Sequence, residues 1–257
     1  MASDFTGTAT PLTENGLTQA MQRLQAGLPE IWAVLKVETS GCGFLADRRP
    51  QILFERHVFH RETHGEFDAT APEISDAEPG GYSGGAAEYD RLARAIELDR
   101  RAALRSASWG IGQVMGFNAD RVGFGDDVEA MVRAMMVSED NQLEAMFEFV
   151  AGKNLQVALQ QHDWKTFARS YNGANFAERK YDKKLAAAFT HLSANGVPDL
   201  RVRTAQMLLM YHGFNPGPVD GEMGNRTRNA LRGFQARVGS VATGEIDDAT
   251  LAMLRRA

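Results

Sequence analysis

Glu38 closes an apolar run, LPEIWAVLKVE, in which Ile31, Leu35 and Glu38 fall at i, i+4 and i+7. On a helix these positions share one face, with Trp32 or Val34 at its margin. A carboxyl group there is expected to lose its water. Burial disfavours the charged form and the negative end of the helix dipole acts in the same sense, so both predict a raised pKa. Such a group keeps a proton near neutral pH and can hand it to a leaving oxygen as a general acid. The plainer reading is a half-exposed helix-end glutamate, one of 33 acidic residues. Glu55, in ILFERH, is a second carboxylate on a short segment rich in branched and aromatic residues. Two carboxyl groups across a cleft can cleave a glycosidic bond, the partner attacking the sugar at roughly 5 Å separation or activating water at roughly 6.5–9.5 Å. Taken alone, Glu55 reads equally well as the ion-pair partner of Arg56 or another arginine.

Three further segments carry polar groups suited to a sugar. In SWGIGQVMG, Gly110 and Gly112 permit close backbone approach, and Ser108 and Gln113 can bond hydroxyl or acetamido groups. SYNG offers the Tyr171 hydroxyl and the Asn172 amide. Tyr82, in PGGYSGG, can stack on a ring or bond to it from a loop over the cleft, or simply pack on the domain.

His57, His60 and His64 raise a different chemistry, a zinc peptidase or amidase. Their spacing does not match His-Glu-x-x-His, and no distant paired ligand is evident. Cys42, the one cysteine, rules out an internal disulfide and sits in a Gly-Cys-Gly turn with no thiol-protease signature, so it reads as a small buried thiol. No metal or other cofactor is expected.

The elements that must position these groups are mostly helical. After a polar lead, Thr18–Leu28 and Pro29–Glu38 read as helices, with Pro29 at a first helical position and Gly41 as a stop. Gln51–Phe59 reads as strand or short hairpin, followed by a long Pro/Gly/Asp-rich loop of the kind that usually has a function. Helical patterning resumes at Ala86 and continues to Ala194, with nothing but helix and turn expected outside 39–85. SANGVPD at 193–199 reads as a linker, giving domains at 1–195 and 200–257. The 257 residues, 44% of them hydrophobic, suffice for one large domain and one small one. A net charge of −5 argues against nucleic acid as partner, and no run reaches the roughly 18 apolar residues of a membrane span. The N-terminus lacks a basic region followed by an apolar run, so synthesis and folding in a cytoplasm are expected.

In this order, VETSGCG at 37–43, ILFERH at 52–57, SWGIGQVMG at 108–116 and SYNG at 170–173 resemble the phage-type N-acetylmuramidases of the lysozyme superfamily. The segment from Arg201 onward, with Tyr-x-Gly-Phe, Val-Asp-Gly, Gly-x-x-Thr, Phe-Gln and a closing Thr-Leu, is similar to the three-helix peptidoglycan-binding module of many wall hydrolases. The fold implied is mainly α, a lysozyme-like helical domain with a small β region, followed by that small module. Glu38 would be the acid, in the Glu-x-Ser element that goose-type lysozymes and lytic transglycosylases also carry, with Ser40 beside it. Glu55 would be the base, with an inverting course. Ser40, Tyr82, Ser108, Gln113, Tyr171 and Asn172 would hold substrate, and Tyr211, Asn215 and Asp220 the wall.

The activity implied is hydrolysis of the β-1,4 bond between MurNAc and GlcNAc in peptidoglycan strands, by a monomer without stable membrane insertion. It would reach the periplasm from the host cytoplasm through a holin-like pore. A lytic transglycosylase, using the sugar's own 6-hydroxyl, is the nearest alternative; a wall-binding protein without activity would not need Glu38. The module would act as a tether, so its loss should matter more on whole sacculi than on soluble oligomers.

Overall fold

Ile31, Trp32, Ala33, Val34 and Leu35 are all buried. A helix apolar on every side belongs at the centre of a bundle. This helix, α2 (Leu28–Thr39), is the axis of the N-terminal unit in the computed structural model, which describes residues 2–39, 42–173 and 176–256. Before it comes α1 (Glu14–Leu24), capped by Thr13, whose hydroxyl accepts from Gly16 N, and ended by Gln25 in the left-handed region. The polar lead is no free tail. Phe5 and Leu12 join the core, and Thr10 bridges to Ser138 in parallel.

The strand expected near Gln51 is shorter than the pattern suggested. β1 (Ile52–Phe54) stops at Glu55, where α3 (Arg56–Glu62) begins. Its partner lies outside the 39–85 region. The SWGIGQVMG segment is a β-hairpin of β2 (Ala107–Trp109) and β3 (Val114–Met115), forming an antiparallel three-stranded sheet with Ile52 opposite Trp109 and Phe54 opposite Ala107. The helix expected from Ala86 to Ala103 is broken into α4 (Glu88–Leu98) and α5 (Arg100–Arg105). Asp99 is extended between them, and its carboxylate caps Ala102 N.

The remaining helices of this unit are α6 (Val128–Met135), α7 (Glu139–Gly152), α8 (Gln156–Gln160), α9 (Trp164–Asn172) and α10 (Tyr181–Asn195). α10 packs along α2, and α1 along α7. Asp163 caps α9 by accepting from Thr166 N, which sets the helix carrying Tyr171 and Asn172.

The C-terminal unit is α11 (Leu200–Tyr211), α12 (Asn225–Arg237) and α13 (Asp248–Arg256) around Leu209, Leu231, Phe234 and Leu254. Two buried glutamines play the same part twice. Gln206 accepts from Gly221 N and donates to Asp220 and Thr227; Gln235 accepts from Gly244 N and donates to Thr243 and Thr250. Thr227 donates to Pro216 O, and Gly224 holds the cap position of α12.

Only residues 196–199 separate α10 from α11, and the two units are packed together rather than strung on a linker. Ala9, Cys42 and Phe44 share a buried cluster with Met207 and Val219. Tyr211 donates to Ala9 O at 3.0 Å, and Arg203 meets Glu139 in an ion pair with no exposure on either side. The molecule is mainly α, with one small sheet and a helical C-terminal unit. Among the described residues, no helix is long and apolar enough to cross a membrane.

Candidate active site

The end of α2 is anchored from two directions. Thr39 donates to Ile111 O in the β2–β3 turn at 3.1 Å, and Asn172 at the end of α9 donates through Nδ2 to Glu38 Oε1 at 2.8 Å. Burial pushes the Glu38 carboxyl up to about 7, against the opposing pull of the Asn172 bond and the Lys184 charge on α10. A carboxylic acid so placed keeps its proton far closer to neutral pH than an ordinary glutamate does. Asn172 keeps its own Oδ1 buried and, among the described residues, unpartnered.

Glu55 follows β1 and lines the same cleft as Asn172, the partner of Glu38. Its N–H donates to Ser106 O at 2.9 Å, which fixes the backbone at the end of β1. The Tyr82 hydroxyl donates to its Oε2 at 2.8 Å, and His57 Nδ1 lies 3.2 Å from the same oxygen. The Arg179 guanidinium, in the chain ahead of α10, acts electrostatically on the Tyr82 hydroxyl.

Beneath this pair lies Glu88, which the sequence did not single out. It is fully buried and accepts from Phe54 N, Ser83 N and Gly84 N, with Arg91 at 3.0 Å. Burial would raise its pKa, but the three N–H groups and Arg91 outweigh that and hold it below the usual carboxylate range. One carboxylate thus ties the strand leading into Glu55 to the loop carrying Tyr82. Its only sequence signal is an acidic residue at the first turn of a helix, which many helices have.

The hairpin turn is built differently from expectation. A Cβ on Gly110 would meet the Gln142 side chain at 2.5 Å, and one on Gly112 would meet Met146 at 2.6 Å, so both glycines serve the close approach of the turn to α7. Ser108 donates to Gln113 Oε1 at 2.8 Å, while Gln113 Nε2 donates to Gly110 O and Gln51 O. Tyr171 donates to Gly112 O at 2.6 Å and stacks on Phe167. Ser108, Gln113 and Tyr171 are therefore bonded within the protein and shape the wall, though Gln113 and Tyr171 still line the cleft.

That cleft, about 620 Å³, is walled by Glu55, His57, Gln113, Phe117, Tyr171 and Asn172, among others. A larger groove of about 830 Å³ runs between residues 8–14 and helices α11 and α13. Its carboxylates, Glu14 and Asp248, are exposed. The chemistry follows the buried acid and not the larger volume.

The other candidates separate. His57 faces Glu55 while His60 bonds Asp68 at 2.7 Å, and among the described residues no three His, Cys, Asp or Glu groups are placed to hold a metal ion. Cys42 is buried with its thiol pushed up to about 12, by burial first and the Glu139 charge second. Ser40 lies outside the described residues. In the C-terminal unit, Tyr211 is held by Ala9 and under the Arg48 guanidinium, Asn215 accepts from Gly217 N, and Asp220 accepts from Gln206 and Glu222 N.

A helical unit carrying a half-buried, protonatable glutamate beside a cleft walled by a small sheet defines the class, a glycoside hydrolase of the lysozyme type. The chain belongs to the N-acetylmuramidase family, whose sequence model matches residues 27–193. The peptidoglycan binding domain family matches residues 198–254. The crystal structure of the Burkholderia AP3 phage endolysin is similar at 44% identity and a TM-score of 0.65, over 71% of this chain and 71% of that one. No curated protein matches the chain. A muramidase unit followed by a peptidoglycan-binding unit makes the protein a peptidoglycan hydrolase.

Proposed function

We propose that the enzyme is an endolysin that hydrolyses the β-1,4 bond between MurNAc and GlcNAc, with Glu38 as general acid and Glu55 as general base. The observation that carries this reading is the Glu38 carboxyl, raised to about 7 by burial and bonded to a residue of the cleft wall. Glu38 gives its proton to the glycosidic oxygen, which leaves as the 4-hydroxyl of GlcNAc. Glu55 takes a proton from water as the water oxygen bonds to the MurNAc anomeric carbon, from the face opposite the leaving group. The products leave with the anomeric configuration inverted, Glu38 ionised and Glu55 protonated, and solvent restores both. Ser40, Tyr82, Gln113 and Asn172 form the substrate-holding set, with Ser108 and Tyr171 acting through Gln113 and the Gly112 carbonyl. Tyr211, Asn215 and Asp220 mark the wall-binding side of the C-terminal unit. The protein works as a monomer, made in the host cytoplasm and admitted to the wall through a separately encoded membrane pore.

Cleavage in H₂¹⁸O tests the reaction class. Hydrolysis places one ¹⁸O in each new reducing end; a transglycosylase leaves 1,6-anhydro ends lighter by one water and free of label.

Tyr82→Phe separates holding substrate from holding Glu55. The ring survives and the 2.8 Å hydroxyl bond is lost. The expected result is a fall in kcat of about tenfold, the worth of one hydrogen bond near 1.4 kcal/mol, with KM little changed in a soluble-oligomer assay. A raised KM at native kcat would return Tyr82 to a pure substrate contact.

A further inference from the structure

We propose that Arg203, in the wall-binding unit, is a positioning residue for the helix that carries Glu38 and for the segment at Gly43 beyond it, so that the C-terminal unit completes the scaffold of the active site. The inference rests on the reading of Glu38 as proton donor. Arg203 lies on the first helix of the C-terminal unit and is wholly buried. Its Nη1 and Nη2 donate to the two carboxylate oxygens of Glu139 at 2.6 and 2.7 Å. Those oxygens also accept from the backbone, Oε2 from Leu12 N at 2.8 Å and Oε1 from Gly43 N at 2.8 Å.

Gly43 joins this grip to the chemistry. It lies five residues beyond Glu38, and its carbonyl accepts from Gln51 N at 2.8 Å, just ahead of β1 and Glu55. Gln51 in turn donates to Cys42 O and accepts from Gly110 N, tying the same segment to the hairpin turn. Gly43 has no room for a side chain, because a Cβ would run into the Gln142 amide and come within 2.9 Å of Ile111 N. The Arg203 guanidinium also lies 5.6 Å over the Trp32 ring, on the helix that ends in Glu38.

An apolar contact would join two units at less cost than a buried ion pair, whose desolvation offsets much of its attraction. Apolar contact is already present here, in the cluster of Ala9, Cys42, Phe44, Met207 and Val219. What the charged pair adds is direction. Each Glu139 oxygen accepts one Arg203 N–H and one backbone N–H, so the two-pronged grip of the guanidinium fixes where Gly43 sits. The C-terminal unit is then more than a tether, and its effect should reach substrates that need no tethering.

The test uses the full chain with Arg203→Met and, because a lone buried Glu139 can prevent folding, Arg203→Lys, which keeps the charge and loses the two-pronged grip. Each is assayed for kcat and KM on soluble peptidoglycan oligomers and for co-sedimentation with sacculi, with Glu38→Gln in the native background as control. The expected result is a kcat at least about tenfold lower, with KM and sacculus binding near native; cement between domains alone would not move kcat in a folded variant. Native kcat in folded Arg203→Lys overturns the proposal. An active Glu38→Gln instead removes the reading beneath it, so the two failures are distinguishable.

Discussion

Glu38→Gln is expected to lose wall cleavage by about 10²–10⁴-fold, the range that general acid catalysis supplies, and at the same time to make the folded protein more stable. The second effect follows from the first by linkage. The carboxyl titrates at about 7 in the fold and near its ordinary value of 4.5 in the unfolded chain. As pH rises through that window the unfolded chain releases a proton that the native state retains, so stability is lost, and above about pH 7 the loss is complete. At 1.36 kcal/mol per unit the penalty is about 3 kcal/mol. Glutamine cannot ionise and escapes it. Urea unfolding at pH 8 should therefore show the variant more stable by up to about 3 kcal/mol, while at pH 4 the two proteins should nearly coincide. Native rates would end the acid assignment. A variant equally stable at both pH values would mean that Glu38 is solvated and its raised pKa absent. The same titration sets the activity profile: a rate that needs protonated Glu38 should fall about tenfold per unit above pH 7.

Glu55→Gln should be nearly as damaging to cleavage, by about 10²–10⁴-fold. Amide keeps the acceptor for Tyr82 and loses the basicity that takes a proton from water. The informative comparison is with azide or another small anion added to the assay. An enzyme whose base has gone but whose acid remains can let such an anion replace the water and give a glycosyl azide. Partial rescue of that kind would assign Glu55 to water activation. Near-native rates without any anion would leave a single-glutamate mechanism, with the sugar's own 6-hydroxyl as nucleophile.

How much of this was legible depended on whether the signal was local. Glu38 was readable because its helix advertises itself: Ile31, Leu35 and Glu38 share a face, and the burial that periodicity implied is what raises the carboxyl. The end of β1 at Glu55 was readable as a strand, but its partner was not. β1 pairs with residues near 107–109, and the branched residues that mark a strand do not say which distant segment it meets. The hairpin glycines were visible as glycines, yet their reason, the approach of Gln142 and Met146 on α7, belongs to packing. Asp99 could have marked the break between α4 and α5, since an aspartate ahead of a fresh helical turn is a cap signal.

Glu88 and the Arg203–Glu139 pair were the least accessible. Glu88 collects three backbone N–H groups from a strand and a loop, and Arg203 reaches Glu139 across 64 residues of sequence. Nothing in their local pattern separates them from solvated charges, because burial is decided by what the rest of the chain places around them. SANGVPD read as a short linker, and the pattern did not show that the units on either side meet. Its Asn-Gly and Pro do turn the chain, but the buried faces on either side hold the two units together. The tethering effect expected of the C-terminal unit therefore comes with a second dependence, because removing residues 200–257 also strips Arg203 from Glu139.

The central claim is that Glu38 protonates the bond between MurNAc and GlcNAc. Mass spectrometry of the fragments released from purified peptidoglycan by the native enzyme and by Glu38→Gln tests it most directly. Fragments ending in reducing MurNAc are expected from the native enzyme and none from the variant. Free stem peptides with intact glycan strands, or reducing MurNAc ends from both proteins alike, would contradict it.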